Sequence, residues 1–233
     1  MFFFDPLYLI YMAPAILLML LTSWYVKSAY NKWSKVQTRS RLTGYDAAQR
    51  LISSGGLYGV QIGSAQGNLS DNYNPRDKTL HLSDGVARSS SVAAVAVAAH
   101  ELGHAMQDAE DYFPLRFRAA LVPMVNLGSN LGWILILIGI FLRLTNLAWI
   151  GVIAFSAGAV FALATLPVEL NASARAKRLL AETGMISGDD ERHGVNQVLN
   201  AAALTYVAGL VTALMQLLYF VSLVSGMGGR RRG

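Results

Sequence analysis

Residues 92–109 read VAAVAVAAHELGHAMQDA, and this stretch decides the fold. Ser89-Ser90-Ser91 just before it is a helix-start signal, and the run of Ala and Val that follows leaves no polar face. The helix from Val92 to about Asp108 must therefore be buried rather than laid on a surface. Set into it are His100, Glu101 and His104, spaced H-E-x-x-H. A separation of four residues puts both imidazoles on one face, one turn apart, where two ring nitrogens reach a single Zn²⁺. Glu101 stands beside them to take a proton from water on the metal. Neutral imidazoles bind zinc without cancelling its charge, so the water's pKa falls to about 7. Burying three such groups without a metal is costly, and a satisfied polar network is the alternative.

A catalytic zinc takes a third protein ligand and keeps one position open. No histidine follows at the x-x-G-x-x-H spacing, where Ala105 to Glu110 stands instead. A carboxylate on a later helix is the remaining option. Glu169, in PVELNASARA (167–176), is expected to open a helix just past an apolar run, with Pro167 in its first turn. Two readings of it stand: a metal ligand, because an acid so placed is expensive without a partner, or an acid favouring a helix N-terminus through the dipole. Asp108, Glu110 and Asp111 follow the motif too closely to fold back on it and read as solvated.

Outward from the motif, composition sets the class. Hydrophobic residues make up 54% of the 233, and charged residues only 14%, against about 25% in an average soluble domain. The apolar residues collect in four runs, Leu7 to Val26, Leu121 to Leu142, Leu147 to Leu166 and Ala202 to Val224, each near the roughly 20 residues a membrane helix needs. The first reads as a retained anchor, since no small-residue cleavage pattern follows it. The second and third are joined only by Arg143-Leu144-Thr145-Asn146, so they read as a tight hairpin with Arg143 at its surface. The net charge of +5 places basic residues beside apolar runs, which fits an anionic membrane rather than nucleic acid. With no cysteine, disulfides, thiolate metal sites and cysteine nucleophiles are excluded.

Between the first two runs the chain has soluble character. Thr43 with Asp46 is a capping box, so a helix starts there and stops at Gly55-Gly56. Leu57 to Ile62 reads as a short strand, and Asn74-Pro75-Arg76-Asp77 as the turn of a hairpin with arms Leu69 to Tyr73 and Lys78 to Ser83. On the second arm Leu80 and Leu82 face one way, Thr79 and His81 the other. His81 could line a substrate cleft or simply be solvated. His193, in the polar stretch 189–193, could stabilise an oxyanion, serve as a spare ligand, or be a plain loop histidine. Tyr206, near the start of the fourth run beside Asn200, could reach a tetrahedral intermediate or anchor at the interface.

The chain resembles the YugP-like family of membrane-bound neutral zinc metallopeptidases over nearly its whole length. The resemblance is carried by Gly56-Leu57-Tyr58, by residues 71–83, by Ala98 to Ala105, by Pro114 to Arg118, by Leu166-Pro167-Val168-Glu169 and by residues 200–208. More distantly it is similar to the integral-membrane zinc proteases of the HtpX and Ste24 type. That likeness implies His100 and His104 as ligands, Glu101 as base and Glu169 as third ligand. Those relatives place Asp four residues after the liganding Glu, where this chain has Ser173. It further implies that strand 78–83 holds an extended substrate through Leu80, His81 and Leu82 by strand addition.

The reading is therefore a mainly α integral membrane protein, with four transmembrane helices and a small α+β zincin-like domain. Its expected parts are an anchor (1–26), the zincin-like domain (27–118), a transmembrane hairpin (119–166), a third-ligand helix and loop (167–201), a fourth span (202–225) and a disordered tail (226–233). The expected function is a Zn²⁺-dependent endopeptidase acting on protein or peptide substrates at the membrane, with lipid around it and no nucleic-acid partner. The rivals are a catalytically silent zinc-binding scaffold and a small transporter, the latter opposed by the scarcity of ionisable residues in the spans. Lys27, Lys32, Lys35, Arg39 and Arg41 follow the first run while residues 1–6 carry no Lys or Arg, so the site is expected on the cytoplasmic side of the cell membrane.

Overall fold

The computed structural model describes residues 5–67 and 69–229, the last two by backbone alone. The elements are α1 (Pro6–Trp33), α2 (Gly44–Ser54), β1 (Gln61–Ala65), β2 (Asn72–Asn74), β3 (Thr79–Ser83), α3 (Asp84–Ala87), α4 (Val92–Ala109), α5 (Phe113–Phe141), α6 (Thr145–Glu182) and α7 (Asp189–Gly229). The protein is mainly helical, and α1, α5, α6 and α7 are long and apolar enough to cross a membrane. The chain divides into two compact units, one of residues 1–22, 116–167 and 205–233, the other of residues 23–115 and 168–204.

In the first unit α5 and α6 form the hairpin that the short connection demands. Arg143 takes φ 55°, the Arg143 N–H donates to Ile140 O at 3.2 Å and the Leu144 N–H to Gly139 O at 2.7 Å. This pair of bonds ends a helix on a left-handed residue and closes its last carbonyls. Small residues let the two helices approach: a Cβ on Gly139 would stand 2.5 Å from Ala148 N. With lipid on the outside there is no solvent to drive the helices together, and close backbone packing takes that role. Aromatic residues fill the rest, with Tyr219 buried and edge-on to Tyr8 at 5.1 Å. The Tyr219 hydroxyl donates to Asp5 Oδ2 at 3.0 Å.

In the second unit, α4 is the core element that its Ala and Val content required. Val92, Val95, Ala96, Ala98, Ala99 and Leu102 are wholly buried, packed with Leu51 of α2, Leu80 and Leu82 of β3 and Leu180 of α6. Its start is capped, Ser91 Oγ accepting from Ala94 N at 3.2 Å. Its end turns on Asp111 at φ 53°, with Tyr112 N–H donating to Gln107 O at 2.9 Å. Helix α2 begins on the expected capping box of Thr43 and Asp46. The sheet has the order β1-β3-β2, with β1 parallel and β2 antiparallel to β3. Leu80 and Leu82 point into the core, and Thr79 and His81 to the half-exposed face.

Four expectations change. The first strand runs over 61–65 instead of 57–62, because Leu57 is buried in the core and Val60 N–H closes a turn onto Leu57 O, so pairing starts at Gln61 with Lys78 O. Glu169 does not open a helix. Helix α6 runs unbroken through Pro167, since leaving the helix in apolar surroundings would strand more backbone groups than the one N–H that proline lacks. Residues 189–201 are helical and continuous with the fourth span. The acids of the first turn of α7 suit the helix dipole, and Glu191, 1% exposed, accepts from Ser187 N at 3.1 Å and Gly188 N at 3.4 Å. Helix α7 also continues to Gly229, so the start of the expected tail is helical, while 230–233 lie outside the described residues.

Candidate metal centre

The centre lies within the second unit, where α4 meets the turn of α6 that follows Pro167. His100 and His104 project from one face of α4, their rings edge-on at 5.0 Å between centroids. Glu169, 2% exposed, meets them from α6: its Oε2 lies 3.3 Å from His100 Nε2 and 3.5 Å from His104 Nε2. One ligand atom from each of the three falls within 4.8 Å of the others. The approach of the two helices depends on Gly103, between the motif's acid and its second histidine, since a Cβ there would lie 2.5 Å from Ala172 O.

The remaining ring nitrogens are already engaged. Ser173 Oγ lies 3.1 Å from His100 Nδ1, and Gln107 Oε1 lies 3.0 Å from His104 Nδ1. Both Nε2 atoms are thus the ones turned to the shared acid. Two partly buried imidazoles presenting Nε2 and one buried carboxylate oxygen match in kind the His₂Glu donor set that holds zinc in catalytic sites, so the residues present fit the metal.

Glu101 points to the sheet, where its Oε2 accepts the backbone N–H of Tyr73 in β2 at 3.1 Å. Burial pushes the Glu101 carboxyl up from its ordinary range, opposed by His100 and His104 and reinforced by Glu169 and Asp71. A carboxyl raised in this way holds a proton more readily than a solvated one, which suits a group that must take a proton and pass it on. For His104, burial disfavours the charged ring, but the hydrogen bond to Glu169 and the charges of Glu101 and Glu169 outweigh it, so its pKa is raised. The Tyr73 phenol donates to Asp108 Oδ2 at 2.9 Å, and burial followed by that bond drives its ionisation up. Strand β2 is thereby pinned to α4 at Glu101 itself and about two turns further on, at Asp108.

The other sequence candidates sit elsewhere. His193 is exposed near the start of α7, its ring 6.1 Å from that of Trp33, and is not in the metal-ligating group. Tyr206 belongs to the α7 segment of the first unit and gives no atom to that group. Leu80 and Leu82 are core residues. Strand β3, expected to take a substrate strand, is the middle strand of the sheet, paired with β1 over Thr79–Ser83 and with β2 over Thr79–His81. His81, half-exposed, faces away from that core and stands beside Gly63. Sequence reasoning missed Gln107 and the Tyr73 N–H. Gln107 was within reach, since positions 100, 104 and 107 share one helical face.

Comparison with known proteins agrees with this chemistry. The family described as "Putative neutral zinc metallopeptidase" matches residues 8–225. The chain is 44% identical over 196 residues to the "Putative membrane protease YugP" of Bacillus subtilis (strain 168), a match covering 84% of this chain and 87% of that protein. No solved structure matches the chain.

Proposed function

The chain belongs to this family of neutral zinc metallopeptidases, and we propose that it is a membrane-anchored endopeptidase hydrolysing protein or peptide substrates at the cytoplasmic surface of the cell membrane. The observation that carries the reading is the convergence of His100, His104 and Glu169 beside a buried Glu101. His100, His104 and Glu169 would hold the zinc, which when bound supplies a Lewis acid that polarises a carbonyl and acidifies water. Glu101, with its raised pKa, takes the proton of the attacking water and hands it to the departing amine. The Tyr73 N–H keeps the Glu101 carboxylate aimed, and Ser173 and Gln107 hold the ring orientations.

The second unit, which joins α4 to a small sheet, serves in this reading as a zincin-like domain, assembled from the stretches assigned to 27–118 and 167–201. An extended substrate would meet β2 rather than β3, since the outer edge of β2 faces Glu101 through Tyr73. Basic residues support the cytoplasmic placement: fifteen of the nineteen Lys and Arg fall in the segments on that side.

Zinc content and cleavage of an unfolded reporter, measured on purified full-length protein with and without a chelator, test the proposal. Glu101→Gln should keep about one zinc per chain and lose cleavage, while His100→Ala and His104→Ala lose both. Glu169→Ala should sharply weaken zinc affinity and Asp108→Ala leave it close to wild type. Cleavage by Glu101→Gln at the wild-type rate would overturn the mechanism, and a folded, zinc-loaded protein that cleaves nothing would make it a metal-binding scaffold.

A further inference from the structure

Gln107 is wholly buried between α4 and α6. A carboxamide offers one acceptor oxygen and two donor hydrogens, and here all are used. Oε1 lies 3.0 Å from His104 Nδ1, while Nε2 donates to Val168 O at 2.8 Å and to Asn171 Oδ1 at 2.9 Å. The backbone carbonyl of Val168 can only accept, which fixes the amide with its nitrogen toward α6 and its oxygen toward His104. An oxygen facing Nδ1 requires the imidazole proton there, so Nε2, the atom turned to Glu169, is the one that gives up its proton and offers a lone pair when a metal is bound.

The same side chain grips the turn that presents the third ligand. Val168 precedes Glu169 directly and Asn171 follows it by two residues. The chain of bonds then runs outward: Asn171 Oδ1 also accepts from Arg175 Nε at 2.7 Å, and the Arg175 guanidinium forks onto Glu110 at 2.6 and 2.7 Å. On α4 and its C-cap the members are His104, Gln107 and Glu110, and on α6 they are Val168, Asn171 and Arg175. Spacings of three residues on the α4 side, and of three and four on α6, make these rungs face one another.

Taking the triad as a zinc site, we propose that Gln107 is a positioning residue for it, holding His104 as the Nδ1–H tautomer and fixing the Glu169 turn against α4 before any metal arrives. A residue that merely filled the helix interface could be replaced by one of equal shape without changing the ring. Gln107→Met keeps the length and bulk and removes every hydrogen bond.

The experiment uses full-length protein in nanodiscs, ¹⁵N-labelled at histidine, with zinc affinity read by competition against a chromophoric chelator. Metal-free wild type should show His104 protonated on Nδ1. Gln107→Met should show mixed tautomers and bind zinc roughly 10- to 100-fold more weakly. Gln107→Glu keeps an acceptor for His104 and loses both donors to α6, so it should restore the tautomer while zinc binding stays weakened. Wild-type zinc affinity in Gln107→Met, or an Nε2–H tautomer in metal-free wild type, overturns the role of Gln107 and leaves the metal site standing. Wild-type protein that takes up no zinc overturns both. The tautomer of the unmutated protein decides the matter even if a variant fails to fold.

Discussion

Ser173 Oγ stands 3.1 Å from His100 Nδ1, four residues along α6 from the acid that meets the same ring at Nε2. One turn of helix thus touches both nitrogens of one imidazole. The group behind the ring is a neutral hydroxyl, which orients the imidazole without adding the negative charge a carboxylate would bring.

Ser173→Ala should therefore weaken zinc binding by about tenfold, with little change in fold, because only the ring's orientation is released. Ser173→Asp should bind zinc more tightly than Ser173→Ala. Equal affinity in all three proteins, measured by chelator competition, would show that the hydroxyl plays no part in holding the ring.

Gly103 sets the distance between α4 and α6. A Cβ there would meet Ala172 O at 2.5 Å and Ala172 Cα at 3.0 Å, both backbone atoms of the next helix. Gly103→Ala should destabilise the second unit by about 1–3 kcal/mol, the usual range for overpacking, and release zinc together with that loss. Gly85→Ala is the control, as nothing lies within 4 Å of its added carbon. Thermal unfolding of both variants in detergent, with zinc content followed alongside, provides the comparison.

The start of α2 carries a pH dependence of defined sign. Asp46 Oδ2 accepts from the Thr43 hydroxyl at 2.7 Å and from the Thr43 N–H at 3.1 Å, and these bonds hold its carboxyl below the usual range. A carboxyl depressed in the folded state stabilises it fully above the unfolded pKa of about 3.9 and loses that contribution as pH falls through the folded value. Amide protection in 44–54 should be flat from neutrality to about pH 5 and decline below pH 4. Thr43→Ala should lower that protection by about 1 kcal/mol at neutral pH and flatten its acid dependence. Hydrogen exchange across this helix is the measurement, and an unchanged acid profile in the variant would rule out the cap as its origin.

Because the chain has no cysteine, single cysteines can report topology. An impermeant maleimide applied to intact cells should label position 145, in the connection between α5 and α6, and leave position 70 unlabelled. Labelling at position 70 from outside would place the metal centre on the opposite face of the membrane.

The apolar runs, the buried motif helix, the capping box and the carboxylate at 169 were legible because each rests on composition or spacing within one segment. What could not be read depended on pairings between distant segments. Parallel pairing of β1 with β3 crosses the hairpin, and nothing in Gln61 to Ala65 announces that β3 will be enclosed on both sides. The helix through Pro167 reads as a boundary from the side chain alone, since the compensating apolar surroundings are a tertiary property. Gln107 and Ser173 carry no motif. Their roles come from what stands opposite them, and a polar residue on a buried helix face shows only that some partner must exist.

The order of the ligands along the chain has a further consequence for how the protein is made. His100 and His104 leave the ribosome well before Glu169, and between them lies the whole α5–α6 hairpin apart from its final turns. A nascent chain holding only the two histidines has neither the acid nor the Val168 carbonyl that Gln107 grips, so on the proposed ligand set no complete centre forms until α6 has followed. The third ligand arrives on the helix that finishes the second crossing of that hairpin. On the proposed ligand set, zinc capture would follow membrane insertion, and a chain that stalls before the hairpin is complete would lack the site.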